Sequence, residues 1–349
     1  MLRKTILFSL LFYFATLPIQ AQINVGSIQR TQKDPGKIEA KDLEKLKSMP
    51  TIFVLRPGDM GMADQYQKML DEVWTFNKVK VMVRDGLSDL TSLGDYAFIG
   101  LEGHATVVQM KTTSYTVSHY YLHLSMRGDE IPYTDKELKK LKKKGKRPNK
   151  RYEVKTFARM SLYPDGELLL LADDFRNKFS LTDDEKNEHM DFVYNEANFY
   201  NYEIGLIKNQ LQEVNRCLEA GELRWIFETD QSDKRLKVLK REKIYVPDHI
   251  LIRFNKFNGN EDKRHEASEL FADYEGKYEI IPAAELSDMI MNATEPFYYF
   301  NYIRSSTDAF YTVVNGLTGE IIYSEYDPVT YNIKPKNIKA LAKSISKVK

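Results

Sequence analysis

The chain has 349 residues, with 51 Lys and Arg against 50 Asp and Glu, a formal net charge of +1. That balance excludes a dedicated nucleic-acid binder, which concentrates a basic excess on its contact face. Hydrophobic residues make up 42% and aromatics 12%, enough for a sizeable core spread over two domains. Cys217 is the only cysteine. It can form no internal bridge and no Cys-x-x-Cys redox or zinc pair, and it reads as a small apolar core residue.

The chain begins with a pattern expected of a secretory signal peptide over 1–21. Arg3 and Lys4 supply the charged start, Ile6 to Thr16 the apolar run, and Leu17-Pro18-Ile19-Gln20-Ala21 the cleavage region. The apolar run is shorter than the ~20 residues of a spanning helix. No cysteine lies near the cut, which excludes a lipoprotein. The expected product is periplasmic or secreted. Removal of Arg3 and Lys4 takes the basic count from 51 to 49 against 50 acids, a net charge of −1.

Residues 22–49 read as a polar, flexible lead-in ending in a short helix at Ala40 to Lys47. A first α/β domain is expected over 50–181. It contains a strand at Thr51 to Leu55 and a helix at Ala63 to Trp74, with Tyr66, Leu70, Val73 and Trp74 on one face. A strand at Lys78 to Val83 and a short helix at Leu87 to Leu93 follow. Strands are then expected at Asp95 to Leu101, Thr113 to Met126 and Tyr152 to Tyr163. The last should turn at Pro164-Asp165-Gly166 into a strand at Glu167 to Ala172.

A long helix is expected over 182–221. Met190, Val193, Ala197, Tyr200, Ile204, Ile207, Leu211, Val214 and Leu218 are spaced alternately three and four apart, a heptad seam. Thr182 with Glu185 forms a capping box and Gly221 a stop. Such a seam serves either a homodimer through 190–218 or packing along the helix's own domains. The uneven Ala197 and Tyr200 positions favour the second. A break near Asn201 gives a helical hairpin instead.

The second α/β domain, 222–349, repeats the order of the first. Strands are expected at Lys243 to Val246, Lys277 to Ile281, Pro296 to Ile303, Ala309 to Asn315 and Glu320 to Ser324. Helices are expected at Asp262 to Tyr274, with Ala267, Leu270, Phe271 and Tyr274 inward, at Ala283 to Met291 and at Pro335 to Ser346. Leu87-Ser88-Asp89-Leu90 and Leu286-Ser287-Asp288-Met289 fall at the same place in each half. There Ser or Asp could cap the second helix. The fold class is therefore α/β (α+β), two tandem βαβαββ-type domains, duplicated, joined by a long helix or helical hairpin.

Chemistry-bearing motifs are scarce. There is no phosphate loop, no dinucleotide fingerprint, no His-Glu-x-x-His and no Gly-x-Ser-x-Gly. His119 and His123 are spaced for a metal on a helix, but their context reads as a strand, where the rings stand ~13 Å apart. No metal, cofactor or catalytic residue is assigned. Asp173-Asp174 are adjacent in sequence, whereas the paired carboxylates of a glycosidase must face each other across a cleft, which sequence does not show. Asp183-Asp184 complement a helix dipole. Asn258-Gly259-Asn260-Glu261-Asp262 lacks the spacing of a calcium loop and reads as a turn.

One charge run, 136–151, holds ten Lys or Arg. Its candidate binding residues are Lys139, Lys140, Lys142, Lys143, Lys144, Lys146, Arg147, Lys150 and Arg151. They suit an anionic glycan or lipid headgroup. The run carries no interleaved aromatic for stacking on bases, and a solvated insertion between strands is the plainer reading.

At Tyr311-Thr312-Val313-Val314-Asn315-Gly316-Leu317-Thr318-Gly319-Glu320-Ile321-Ile322-Tyr323-Ser324 the chain resembles the closing hairpin of TolB-type amino-terminal domains. Those are βαβαββ modules of bacterial envelope proteins. The likeness spans about 80 residues from Lys243 onward, and the propeller that follows in TolB is absent. It implies an envelope interaction module with a protein partner and no catalytic residues. The element order also resembles a thioredoxin-like fold without its redox cysteines. The leader ending in Gln-Ala-Gln and the Lys/Tyr/Asn-rich remainder resemble secreted proteins of the Bacteroidota.

The leading expectation is a non-catalytic exported protein, a binding or assembly module of the envelope or outside the cell. The alternative is a hydrolase acting on an envelope or extracellular polymer. If the basic run engages phosphates, its affinity for anionic vesicles should collapse as salt rises from 50 to 200 mM, by roughly a thousandfold for six contacts. Salt-insensitive binding in a sedimentation assay would rule that out.

Overall fold

The computed structural model describes residues 22–27, 35–84, 94–109, 114–143, 145, 147–148, 150–169, 183–255, 258–328 and 330–348. The leader, the helix expected at Leu87 to Leu93, Lys144 and Lys146 lie outside them. The fold is α+β, built on two mixed sheets of six and five strands.

In the first sheet the apolar run Thr51–Leu55 (β2) is buried along its whole length, as a central parallel strand requires. It lies between parallel partners Val79–Val83 (β3) and Ala97–Gln109 (β4). Ser114–Glu130 (β5) and Tyr152–Ser161 (β6) then add antiparallel. In the second sheet Ile244–Pro247 (β7) plays the part of β2. The two-residue strands Ile252–Arg253 (β8) and Lys263–Arg264 (β9) follow as a separate ribbon. Tyr278–Ile281 (β10) and Tyr298–Ser305 (β11) flank β7 in parallel. Asp308–Asn315 (β12) and Ile321–Asp327 (β13) add antiparallel. The orders β3-β2-β4-β5-β6 and β10-β7-β11-β12-β13 are the same topology twice.

The expected lead-in is corrected at its start. Ile23–Val25 (β1) pairs antiparallel with β6 and is fully buried. Gln22 is buried too, its side-chain oxygen accepting from Asn301 Nδ2 and Thr312 Oγ1, both at 2.9 Å. The N-terminal strand thus belongs to the first sheet and ties it to the second.

The helices are Ala40–Ser48 (α1), Ala63–Val73 (α2), Asp135–Lys143 (α3), Asp183–Asn195 (α4), Ile204–Ala220 (α5), Ala267–Leu270 (α6), Ala283–Met291 (α7) and Pro335–Lys347 (α8). The single helix expected over 182–221 is broken between α4 and α5. The Asn201 side chain explains the break. It accepts from Tyr163 N at 2.7 Å and donates to Ser161 O at 3.0 Å. An amide that satisfies backbone groups elsewhere competes with continuing the helix. α4 packs mainly on β4, and α5 on α2, α7 and β1. The seam residues Val193, Ala197, Ile207, Leu211, Val214 and Leu218 are buried inside the chain, and Met190, Tyr200 and Ile204 are half-buried.

Two other expectations change. Residues 166–169 are helical, so Pro164-Asp165-Gly166 leads into a helical turn rather than a second strand. Between Asp262 and Tyr274 only Ala267–Leu270 is helical, because Lys263–Arg264 pairs with β8. Leu270, Phe271 and Tyr274 are nonetheless buried as the pattern required.

Helix α5 joins the copies, with twelve of its 17 residues buried. Ser287 lies within α7, whose N-cap is Pro282, and does not cap its own helix. Its hydroxyl instead accepts from Gly205 N at 2.9 Å, capping α5. A Cβ at Gly205 would stand 2.3 Å from Ser287 O, so this crossing needs glycine. At the other end Asn215 Oδ1 accepts from Thr75 N and Phe76 N at 2.9 and 3.0 Å. Midway, the buried Glu213 pairs with Arg216 at 2.9 Å and with Arg224. Arg224 also clamps β1, exchanging two 2.9 Å backbone hydrogen bonds with Val25. Replacing Arg224 by Met leaves the buried Glu213 carboxylate with Arg216 as its remaining guanidinium partner, and the expected cost is about 2 kcal/mol. It should appear as a lower urea midpoint at unchanged m.

Candidate functional site

Because the two copies share a topology, their differences are informative. The first copy carries an insertion between β5 and β6 that holds α3 and the basic run. The second carries one between β7 and β10 that holds the β8–β9 ribbon and its loop.

In the first insertion, Lys139, Lys140, Lys142 and Lys143 lie exposed on α3, which buries none of its residues. Arg147 is exposed as well, and Lys150 stands 3.8 Å from Glu130. Arg151 is committed elsewhere. Its Nη1 and Nη2 donate to the Glu137 carboxylate at 2.8 and 2.9 Å, and its guanidinium lies 4.1 Å over Tyr133. That hydrogen-bonded pair, with help from Thr134, pulls the Glu137 carboxyl down to about 2. The described part of the run is a row of solvated lysines on a locally braced helix; only its last lysine, Lys150, lines a cavity, one of about 700 Å³ with Arg127, Tyr152 and Glu153 among the described residues.

The second insertion does form a concavity, a cavity of about 740 Å³. One wall is the ribbon and loop, with Arg253, Phe254, Asn258, Asn260, Asp262 and Lys263. The other is Thr330, Tyr331, Asn332 and Lys334. Asn332 locks the walls together, its Oδ1 accepting from Phe254 N at 2.7 Å and its Nδ2 donating to Phe254 O at 3.0 Å. Phe254 stacks on Tyr331 with ring centroids 6.2 Å apart. The loop closes on itself, Asn255 N donating to Asn260 O and Gly259 N to Asn255 O. Its tip abuts the turn after β6, where a Cβ at Gly166 would stand 2.1 Å from Gly259 O.

Behind Phe254 lies a buried ionic floor. The Arg304 guanidinium sits 4.0 Å under the Phe254 ring. Its Nη2 donates to Glu261 Oε1 at 2.8 Å, and Glu261 Oε2 accepts from Tyr200 OH at 2.7 Å and Gly166 N at 3.0 Å. Burial, then the Glu261 carboxylate, pushes the Tyr200 phenol far above its ordinary range. His249 completes the cluster, stacked on Tyr200 and edge-on to Tyr163. Burial alone pushes this imidazole down to about 3. Neither of its ring nitrogens has a hydrogen-bond partner among the described residues.

The turn reading of Asn258 to Asp262 is right about the backbone and misses its use. The signal in sequence is the density of Asn together with an aromatic before the loop. The partners that make the pocket, Tyr331 and Asn332, are about 70 residues away and carry no local mark.

One constellation resembles a nucleophilic triad. His119 Nδ1 lies 2.7 Å from Ser305 Oγ, and His119 Nε2 lies 3.7 Å from Asp308 Oδ2. Ser305 is fully buried in the β11–β12 hairpin, so no acyl group can reach its hydroxyl. The contact joins the second copy's hairpin to β5 of the first. His123, on the same strand, pairs instead with Glu102 at 2.6 Å and Thr156 at 3.0 Å.

No family model, curated protein or solved structure matches this chain.

The buried His249 gives a signed pH prediction. Its folded pKa, about 3, lies below the ~6.5 of an exposed imidazole, so the unfolded chain binds the extra proton between those values. Its contribution to stability is complete above pH 6.5 and is lost progressively as pH falls toward 3. The slope is about 1.4 kcal/mol per pH unit. His249→Phe should remove one proton's worth of that slope in urea titrations at pH 4.5 to 6. An unchanged slope would show that His249 takes up its proton without unfolding.

Proposed function

We propose that this chain is an exported, non-catalytic binding module of the bacterial envelope or extracellular space, and that the pocket between the β8–β9 loop and residues 330–334 is its ligand site. The observation that carries the reading is the two-way hydrogen bonding of Asn332 to the Phe254 backbone. It fixes both pocket walls over a buried ion pair before any ligand arrives. A site fixed in advance spends little of its binding energy on ordering itself. The exposed lysines of α3 are a second, weaker contact for an anionic surface.

Export rests on the leader pattern. It is compatible with the fold, since Gln22, directly after the expected cut, is itself held by Asn301 and Thr312. A chain starting there would keep β1 in place. No helix among the described residues is long and apolar enough to cross a membrane. A serine-nucleophile role for the His119–Ser305–Asp308 constellation finds no support, because Ser305 is sealed from substrate.

The test is a panel of envelope polysaccharides and peptidoglycan fragments, scored both for retention and for breakdown. Saturable retention without turnover is expected. Tyr331→Ala should weaken it by about 1 kcal/mol, the worth of an aromatic contact. Turnover of any panel member, or retention indifferent to Tyr331→Ala and Asn258→Ala, would overturn the assignment.

A further inference from the structure

We infer that the ligand of this pocket is an acidic saccharide, and that its acid group is held between Arg253 and Lys263. The inference rests on the binding-module reading and adds the ligand's chemistry. Its first support is a register. In the β8–β9 ribbon Arg253 is the direct cross-strand partner of Lys263. Residues directly opposite on an antiparallel pair project to the same face, and like charges placed there destabilise the pair. Both side chains are exposed and both line the pocket.

The second support is the missing counter-charge. Some surface lysines of the second copy have acids close by, while the exposed Lys237, Lys277 and Lys343 have none within 4.0 Å among the described residues. Lys336 lies 3.0 Å from Asp327, Lys339 3.3 Å from Asp273, and Lys243 close to Glu279. Among the described residues no carboxylate stands within 4.0 Å of Arg253, Lys263 or Lys334, which line this one cavity. The one carboxylate of the lining, Asp262, is taken up by Asn260 Nδ2 at 3.1 Å. Three cations converging on a fixed cavity, two of them in forced opposition, form a site that an anion relieves. Local rules are broken in this way at functional sites.

The saccharide follows from the rest of the lining. Tyr331 offers a half-buried aromatic face, braced from behind by Phe254, against which the apolar face of a sugar ring packs. The exposed carboxamides of Asn258 and Asn260, each with one atom already bonded within the loop, leave one donor and one acceptor of the kind ring hydroxyls meet. A bare inorganic anion would use the cations and leave the aromatic face and the amides idle.

The experiment is titration calorimetry on the leaderless full chain with an oligogalacturonide, its fully methyl-esterified neutral counterpart and a hexose phosphate. The acid form should bind at least roughly tenfold more tightly than the ester, as charge-assisted contacts imply. The double substitution Arg253→Gln with Lys263→Gln should erase that preference and leave binding of the ester unchanged. The same variant should melt no lower than the parent chain, since it removes a repulsion; this separates lost recognition from lost folding. Tighter binding of the hexose phosphate would mark the acid group as phosphate rather than carboxylate, within the same proposal. Equal binding of acid and ester, or a preference that survives the double substitution, would overturn the acidic-ligand inference while the pocket itself stands. If none of the three binds and neutral glycans also fail, the pocket assignment falls with it.

Discussion

Everything else in this fold is arranged around a helix that has almost no solvent-facing side. α5 is buried from Gly205 to Leu218 apart from Gln212 and Arg216, yet its sequence contains Lys208, Asn209, Gln210, Glu213 and Asn215. Burying those groups is tolerable only if each finds a partner. The partners are what join the halves. Lys208 donates to Ile290 O at the end of α7, and Asn209 and Gln212 donate to Gly316 O and Leu317 O of the second copy's closing turn. Asn215 serves Thr75 and Phe76 of the first copy. The apolar stripe supplies the adhesion, and the polar groups fix the register of one copy against the other. A purely apolar helix would bind both sheets as strongly and place neither.

That division of labour explains where the site is. The repeated sheets carry structure, and their shared strand order gives each copy an internal reference. Departures from the common plan are insertions in connections, where extra chain does not disturb the ladders. The β7–β10 insertion departs further than its length suggests, because it is tied down at three places. Asn332 holds its start, Gly166 admits its tip, and Glu261 anchors its end to Arg304. A loop held this way behaves as part of the scaffold.

What the sequence disclosed follows from how far each signal reaches. Val79, Val81 and Val83, or Thr51 to Leu55, carry their strand identity locally, and those strands form where periodicity places them. The duplicated order was legible for the same reason. The inward face of Leu270, Phe271 and Tyr274 was legible although its helix was not, since burial follows hydrophobicity while helix length depends on competition with the β8–β9 ribbon. The break of the long helix was half legible, because Asn201 is a poor helix interior residue but its partners Ser161 and Tyr163 lie 40 and 38 positions away. Gln22 and the strand after it looked like a polar lead-in for want of any local sign of Asn301 and Thr312. The pocket was least legible of all. Its walls come from segments some 70 residues apart, whereas the lysine run is a local signal.

The contrast between the two basic features is finally one of geometry rather than of charge. On α3 the lysines spread over an exposed helix, each in water of high dielectric, where a fixed anion gains about 1 kcal/mol per contact at best. At the pocket fewer cations act, but the apolar ring of Phe254 and the protein interior behind it exclude water on one side. Field lines from Arg253, Lys263 and Lys334 are therefore directed toward the open volume. The same charge placed on a rigid concave wall discriminates between ligands by shape as well as by sign. A flexible row of lysines can select only for charge density. That geometry is why the proposal places specific recognition at the second copy's insertion and not on the run of lysines.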